Sequence, residues 1–295
     1  MKGSRPRVQV AFLLLAAVSA AAQTPPLPSA LRASFEKQVQ EIAARVDGVV
    51  GYAIVDLTTG ERFGHLEHET FPTASAIKLA IVYELFKQAE EQRIDLDDKT
   101  TLDRRQAVGG TGVLVEMGTP TLSLGDYAVL MVMLSDNTAT NVLIDRLGMD
   151  RIAARMRGLG LAGTKLRRHM MDTAAARRGD ENVSTPDELV RLLKMMNDDM
   201  PKAIELLKKP KENRLRKGLP EGVASADKSG ELEGVRVDAG IVFAMNRPYA
   251  LCVMTTFLKS EAEGERAIVD ISRVAYEYFS RLGAGGALGR RIPNS

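Results

Sequence analysis

The chain reads as an α/β (α+β) fold in which an antiparallel sheet carries an inserted all-helical lobe. Three observations predict it: a strand pair near the start, strand-like runs that return after Pro210, and a long stretch between them whose apolar residues recur at helical spacing. With 295 residues and 45% apolar content, the chain is long enough for one large domain or two interleaved ones.

In order, Ala30 to Val46 carries helical spacing. Val49 to Leu57 reads as a strand, and Thr58-Thr59-Gly60 turns it into a second, shorter one. From Ser75 to about Leu207 helices dominate: Ser75 to Gln88, Leu124 to Met133, Thr138 to Leu147, Arg151 to Leu159 and Asp187 to Met196. The last is the best marked, because Thr185 suits an N-cap, Pro186 suits the first helical position and Glu188 completes a capping box. Before it, Gly163 to Ser184 shows no period, and structureless loops of that length are usually functional. Val223 to Ser229, Val237 to Met245 and Ala250 to Leu258 then read as strands, and Ala262 to Leu282 as a closing helix. The expected organisation is a leader over 1–22, an α/β lobe over 23–72 and 210–295, and a helical lobe over 73–209, with the functional site at the seam.

Met1 to Arg7 is basic, Val8 to Val18 is apolar and Ser19 to Ala22 is small, which is the pattern of a secretory signal peptide. The chain is therefore expected to be exported, periplasmic or secreted. The apolar run is about half of the roughly 20 residues a spanning helix needs, and no other segment is long and apolar enough. Gln23 to Pro28 reads as an extended N-terminus of the mature chain. A net charge of +2, no Trp and no aromatic-interleaved basic stripe leave no platform for nucleic acid. Cys252 is the only cysteine, so an intramolecular disulfide is excluded, and its place in the apolar run Tyr249 to Phe257 makes it a buried small hydrophobe.

Three short elements carry the chemistry. Ser75-Ala76-Ile77-Lys78 follows Phe71-Pro72 and opens a helical run, so an i, i+3 pair brings a lysine amine toward a serine hydroxyl at a helix N-terminus, where free N–H groups favour a developing oxyanion. Ser135-Asp136-Asn137 joins two apolar helices; Ser135 can relay a proton and the Asn137 amide can grip a substrate amide, although the same residues also suit an ordinary helix cap. Lys228-Ser229-Gly230 closes a strand: Lys228 and Ser229 suit a carboxylate, Gly230 permits close approach, and the N–H of Glu231 can join that of Ser75 in an oxyanion hole.

Taken together, these elements, the run Ser135-Asp136-Asn137-Thr138-Ala139-x-Asn141 and the terminal strand-strand-helix resemble the class A serine β-lactamases and their penicillin-binding relatives over nearly all of the mature chain. The resemblance implies a five-stranded antiparallel sheet with flanking helices, acyl transfer through Ser75 with Lys78, Ser135 and Lys228, substrate binding by Asn137, Ser229, Gly230 and Glu231, and neither cofactor nor metal. The expected substrate is a β-lactam. The alternatives are a D-alanyl-D-alanine peptide, with slow deacylation, or a β-lactam sensor that keeps its adduct. Oligomeric state is unreadable.

The chain departs from the family in two places. Class A members carry a glutamate in a loop pattern like Arg-x-Glu-Pro-x-Leu-Asn; with Arg168 in the arginine's role, Met170 stands where that glutamate would be, and a thioether cannot deprotonate water. Asp172, Asp180 or Glu181 then substitutes, Lys78 does, or deacylation is slow. Val108 to Leu114 is glycine-rich where many of these enzymes place an aromatic gate, closer to class A-like penicillin-binding proteins that lack the glutamate. Other signals are weaker. His65 and His68 lack further metal ligands, His169 suits loop packing, Lys208 to Lys211 reads as a solvated connection, the helical Met residues as core, and Arg236 as a second carboxylate anchor or an exposed loop charge.

Overall fold

The computed structural model describes residues 27–286 and 289–290; the leader expected over 1–22 lies outside them. In chain order the elements are α1 (Leu27–Ala43), β1 (Val49–Asp56), β2 (Arg62–His65), β3 (Phe71–Pro72), α2 (Lys78–Glu90), β4 (Lys99–Thr101), β5 (Thr121–Ser123), α3 (Leu124–Met133), α4 (Asn137–Leu147), α5 (Met149–Gly158), α6 (Thr173–Arg177), β6 (Val183–Ser184), α7 (Pro186–Asp199), α8 (Pro201–Lys208), α9 (Arg214–Lys217), β7 (Ser225–Leu232), β8 (Val235–Val242), β9 (Tyr249–Thr256) and α10 (Glu261–Ala284). Five strands form one antiparallel sheet in the order β2-β1-β9-β8-β7. Because β7 is an edge, one side of its backbone stays unpaired within the sheet.

Period-2 alternation divides the core. Val50, Tyr52 and Ile54 of β1 and Leu251 and Val253 of β9 face α1 and α10, where Phe35 stacks on Tyr278 and Phe279 meets Tyr278 edge-on. Ala53, Val55, Ala250, Cys252 and Met254 face the other way and join a cluster that continues through α2, α3, α4 and α7. One continuous apolar mass therefore anchors the sheet to the helical segment, and α7 and α8 lie directly against the strands. Cys252 is buried there, as expected of a small hydrophobe.

Three local readings change. Leu27 and Pro28 begin α1 instead of extending the N-terminus, since proline is tolerated in a first helical turn. The stretch from Gly163 to Ser184 holds the short helix α6, N-capped by Asp172, and β6, which pairs with β3. The Lys211 side chain is only 4% exposed, its amine 3.8 Å from Asp227, so that connection is not simply solvated. Among the described residues no helix is long and apolar enough to cross a membrane, and no group of three ligating side chains forms around His65 and His68.

Candidate active site

A cleft of about 990 Å³ is lined by Ser75, Ser135, Asn137, Met170, Ser229 and Gly230, among others. The three sequence elements, far apart in the chain, meet there. Ser75 lies on a 3-10 turn, Ala74–Ile77, and Lys78 is the first residue of α2. Thr73 ties this turn down, donating from both N (2.9 Å) and Oγ1 (3.0 Å) to the Asn182 carbonyl. Ala74, Ser135 and Met171, all on the cleft wall, hold positive φ without being glycine. Such backbone costs on the order of 1–3 kcal/mol each and collects at functional sites.

The Lys78 amine does not hydrogen-bond the Ser75 hydroxyl, as the i, i+3 spacing suggested; only its backbone N–H reaches the Ser75 carbonyl. Its Nζ donates to the Ser135 carbonyl (2.7 Å) and Asn137 Oδ1 (3.1 Å) and lies 3.0 Å from Ser135 Oγ. The helix begins only at Lys78, whose amine is drawn to the carbonyls of the Ser135 turn instead. Burial first, then the charge of Lys228, push the Lys78 pKa well below that of a free lysine, with Asp136 opposing. The two carbonyl acceptors absorb the two N–H bonds of a neutral amine and leave its lone pair for the Ser135 hydroxyl. On the other side Lys228 Nζ reaches Ser135 Oγ at 3.2 Å and the Ser229 carbonyl at 2.8 Å. Burial and then Lys211 bring the Lys228 pKa down to about 8.

The glycine-rich loop is clamped by the Ser-Asp-Asn element. Asp136 Oδ2 accepts from Val113 N (2.7 Å) and Leu114 N (2.9 Å), Asn137 Nδ2 donates to the Gly109 carbonyl (3.1 Å), and Thr111 Oγ1 donates to the Ser135 carbonyl (2.7 Å). Gly112 has φ +107, and a Cβ there would meet Asp136 at 2.2 Å, so glycine is required for this contact. Gly230 has a different task from the one its position suggested. A Cβ on it would meet the Thr73 carbonyl at 2.6 Å and Ser75 N at 2.8 Å, so it lets the Ser75 turn itself pack against β7.

The sequence matches the model of the "Beta-lactamase enzyme family" over residues 34–279. The chain belongs to the β-lactamase enzyme family. It is 25% identical over 256 residues to an imipenem-hydrolyzing β-lactamase of Enterobacter cloacae, covering 81% of this chain and 88% of that one. Among solved structures, PBP-A superposes with a TM-score of 0.77 at 26% identity, over 86% of this chain and 97% of PBP-A; a point mutant of PBP-A has been solved as an acyl-enzyme complex with penicillin G. An ancestral class A β-lactamase gives a TM-score of 0.77 at 25% identity, over 83% of this chain and all of that one (100%). The fold is that of class A β-lactamases and PBP-A, and the chain is a serine β-lactamase-like hydrolase.

Within this β-lactamase-family site, Asn141 grips the loop at Met170 from both sides: Nδ2 donates to the Met170 carbonyl (3.2 Å) and Met170 N donates to Oδ1 (2.8 Å). Met170 is thereby fixed in the cleft wall. The carboxylates nearby hold their own loop together, although Glu181 also lines the cleft. Asp172 is exposed and caps α6 through Ala175 N (2.9 Å), Asp180 pairs with Arg178 (3.4 Å), and Glu181 Oε1 takes Arg168 (2.6 Å) and its neighbour Asn182 N (3.0 Å). His169 packs on Asp145 at 2.7 Å.

The Arg236 expectation is corrected. Its guanidinium is buried, pairs with Glu261 and Glu265, and donates to the Leu232 and Val235 carbonyls, so it is neither a carboxylate anchor nor an exposed charge. Arg214, which sequence reasoning passed over, lines the cleft instead, held by Glu231, Glu265 (3.1 Å) and Asp238 (3.6 Å). Asn213 beside it accepts from Ser229 Oγ at 2.9 Å. Their only sequence signal is a polar start to α9, which does not reveal that the chain folds it against β7.

Proposed function

We propose that the chain opens β-lactam rings through an acyl-enzyme on Ser75. The observation that carries the reading is Ser135 Oγ between two amines of lowered pKa, Lys78 at 3.0 Å and Lys228 at 3.2 Å, beside Ser75 in one cleft. In this scheme the Ser75 proton passes through the Ser135 hydroxyl to neutral Lys78 as the Oγ–carbonyl bond forms. The C–N bond then breaks, and the proton returns through Ser135 to the leaving nitrogen. The N–H groups of Ser75 and Glu231 receive the oxyanion, Asn137 faces the substrate amide, and Lys228 faces its carboxylate.

Deacylation is slow in this proposal, because Met170 occupies the wall and Asp172, Asp180 and Glu181 are engaged. That favours a second reading, a D-alanyl-D-alanine peptidase or penicillin-binding protein, over efficient resistance chemistry; a permanent-adduct sensor is its extreme. The basic-apolar-small leader supports export, checked by N-terminal sequencing of the mature chain. Stopped-flow mixing with a chromogenic cephalosporin is the test: a burst of one equivalent followed by slow turnover is expected. No burst and no mass adduct would sink the acyl-enzyme, and rapid steady turnover would sink the slow deacylation.

A further inference from the structure

The hydrogen bonds behind Ser229 have a direction. Asp227 Oδ2 accepts from Ser225 Oγ (2.6 Å) and Arg216 Nε (2.7 Å), and its Oδ1 faces Asn213 Nδ2. A carboxylate only accepts, so the amide nitrogen of Asn213 must face Asp227 and its oxygen must face Ser229 Oγ. An amide oxygen also only accepts. Ser229 is therefore the donor, its single proton points into the wall, and only lone pairs face the cleft. Asn213 is 5% exposed, so withdrawing that proton to serve a ligand would leave a buried oxygen without a partner. Arg214, which lines this wall beside the exposed Lys217, is already flanked by three carboxylates.

We propose that Asn213 is a positioning residue that holds the Ser229 proton away from the cleft, so that this enzyme grips a substrate carboxylate mainly through Lys228. The inference rests on the acyl-enzyme reading, in which a carboxylate-bearing lactam lies along β7. Its consequence is unusual in sign: removing Asn213 should tighten binding, because the freed hydroxyl can turn to the carboxylate.

Stopped-flow acylation of the purified enzyme by benzylpenicillin separates the binding constant from the acylation rate. For Asn213→Leu, which fills the space without an acceptor, dissociation should fall about three- to tenfold, the size of one charge-assisted hydrogen bond less its cost, with the acylation rate within about twofold. The gain should vanish in the Asn213→Leu/Ser229→Ala double variant. Ser229→Ala alone should weaken binding by less than about threefold, and it decides the matter if the Asn213 variants do not fold. Weaker or unchanged binding in Asn213→Leu, a gain that persists without Ser229, or a tenfold loss in Ser229→Ala would overturn the role of Asn213. No benzylpenicillin adduct on the unmodified enzyme would overturn the acyl-enzyme reading itself, whatever stands at position 213.

Discussion

Around Ser135 the polar groups converge on the cleft, whereas in the loop from Gly163 to Ser184 the three carboxylates are each engaged in a bond that holds the loop together. Lys78, Lys228, Asn137 and Ser135 share one buried network whose acceptors leave a lone pair and a hydroxyl proton available. The loop uses Asp172 as a cap, Asp180 for Arg178 and Glu181 for Arg168, and presents Met170 to the cleft. The same residue types thus serve chemistry in one region and architecture in the other. The difference lies in what remains unspent after local hydrogen bonds are made.

The comparison breaks most sharply at Lys78. Replacing it with Ala should slow acylation by about 10²–10⁴-fold, the usual worth of a positioned base, with little change in initial binding; single-turnover kinetics reads both. An unchanged acylation rate would remove Lys78 from the proton path.

Met170→Glu tests the loop side. A carboxylate supplied where Asn141 fixes the backbone should raise deacylation by about 10²-fold, at the low end for general-base catalysis, while acylation stays within a few-fold. If intact mass shows the adduct persisting as long as in the parent enzyme, the loop position has been misassigned.

Gly230→Ala should be smaller but visible in both stability and rate. The added Cβ meets backbone atoms that cannot give way, Thr73 O at 2.6 Å and Ser75 N at 2.8 Å. About 1–3 kcal/mol of stability and about tenfold in acylation should be lost, measured by denaturant unfolding and burst rate. A neutral outcome in both would mean that the Ser75 turn does not depend on this approach.

The smallest effect is in pH. Lys228 is charged below its pKa of about 8 and neutral above it, so the apparent affinity for a carboxylate-bearing lactam should fall as pH rises through that value. A loss of about three- to tenfold between pH 7 and 9 is expected, and Lys228→Arg should flatten the profile. A profile that is already flat in the parent enzyme would place the carboxylate on another cation.

Much of the fold was legible because its signals are local. The predicted run from Leu124 to Met133 coincides with α3, and the capping signals at Thr185, Pro186 and Glu188 mark the start of α7. The five strands followed from alternation and turns, with ends shifted by a few residues. The loop was less readable, since a five-residue helix such as α6 has no room to show a period. In the site, Ser75, Lys78, Ser135, Asn137, Ser229 and Gly230 were singled out by their motifs and share one region, while Arg236 was placed wrongly and Asn213 and Arg214 were passed over.

By itself the sequence determined the order of elements and the inventory of reactive groups, because periodicity, caps and short motifs depend on neighbours along the chain. Tertiary structure decided which of those groups are free to act. Lys78 finds its acceptors 57 and 59 residues away, and whether a carboxylate or a serine proton is available depends on burial and on partners that only the folded chain brings within hydrogen-bond distance.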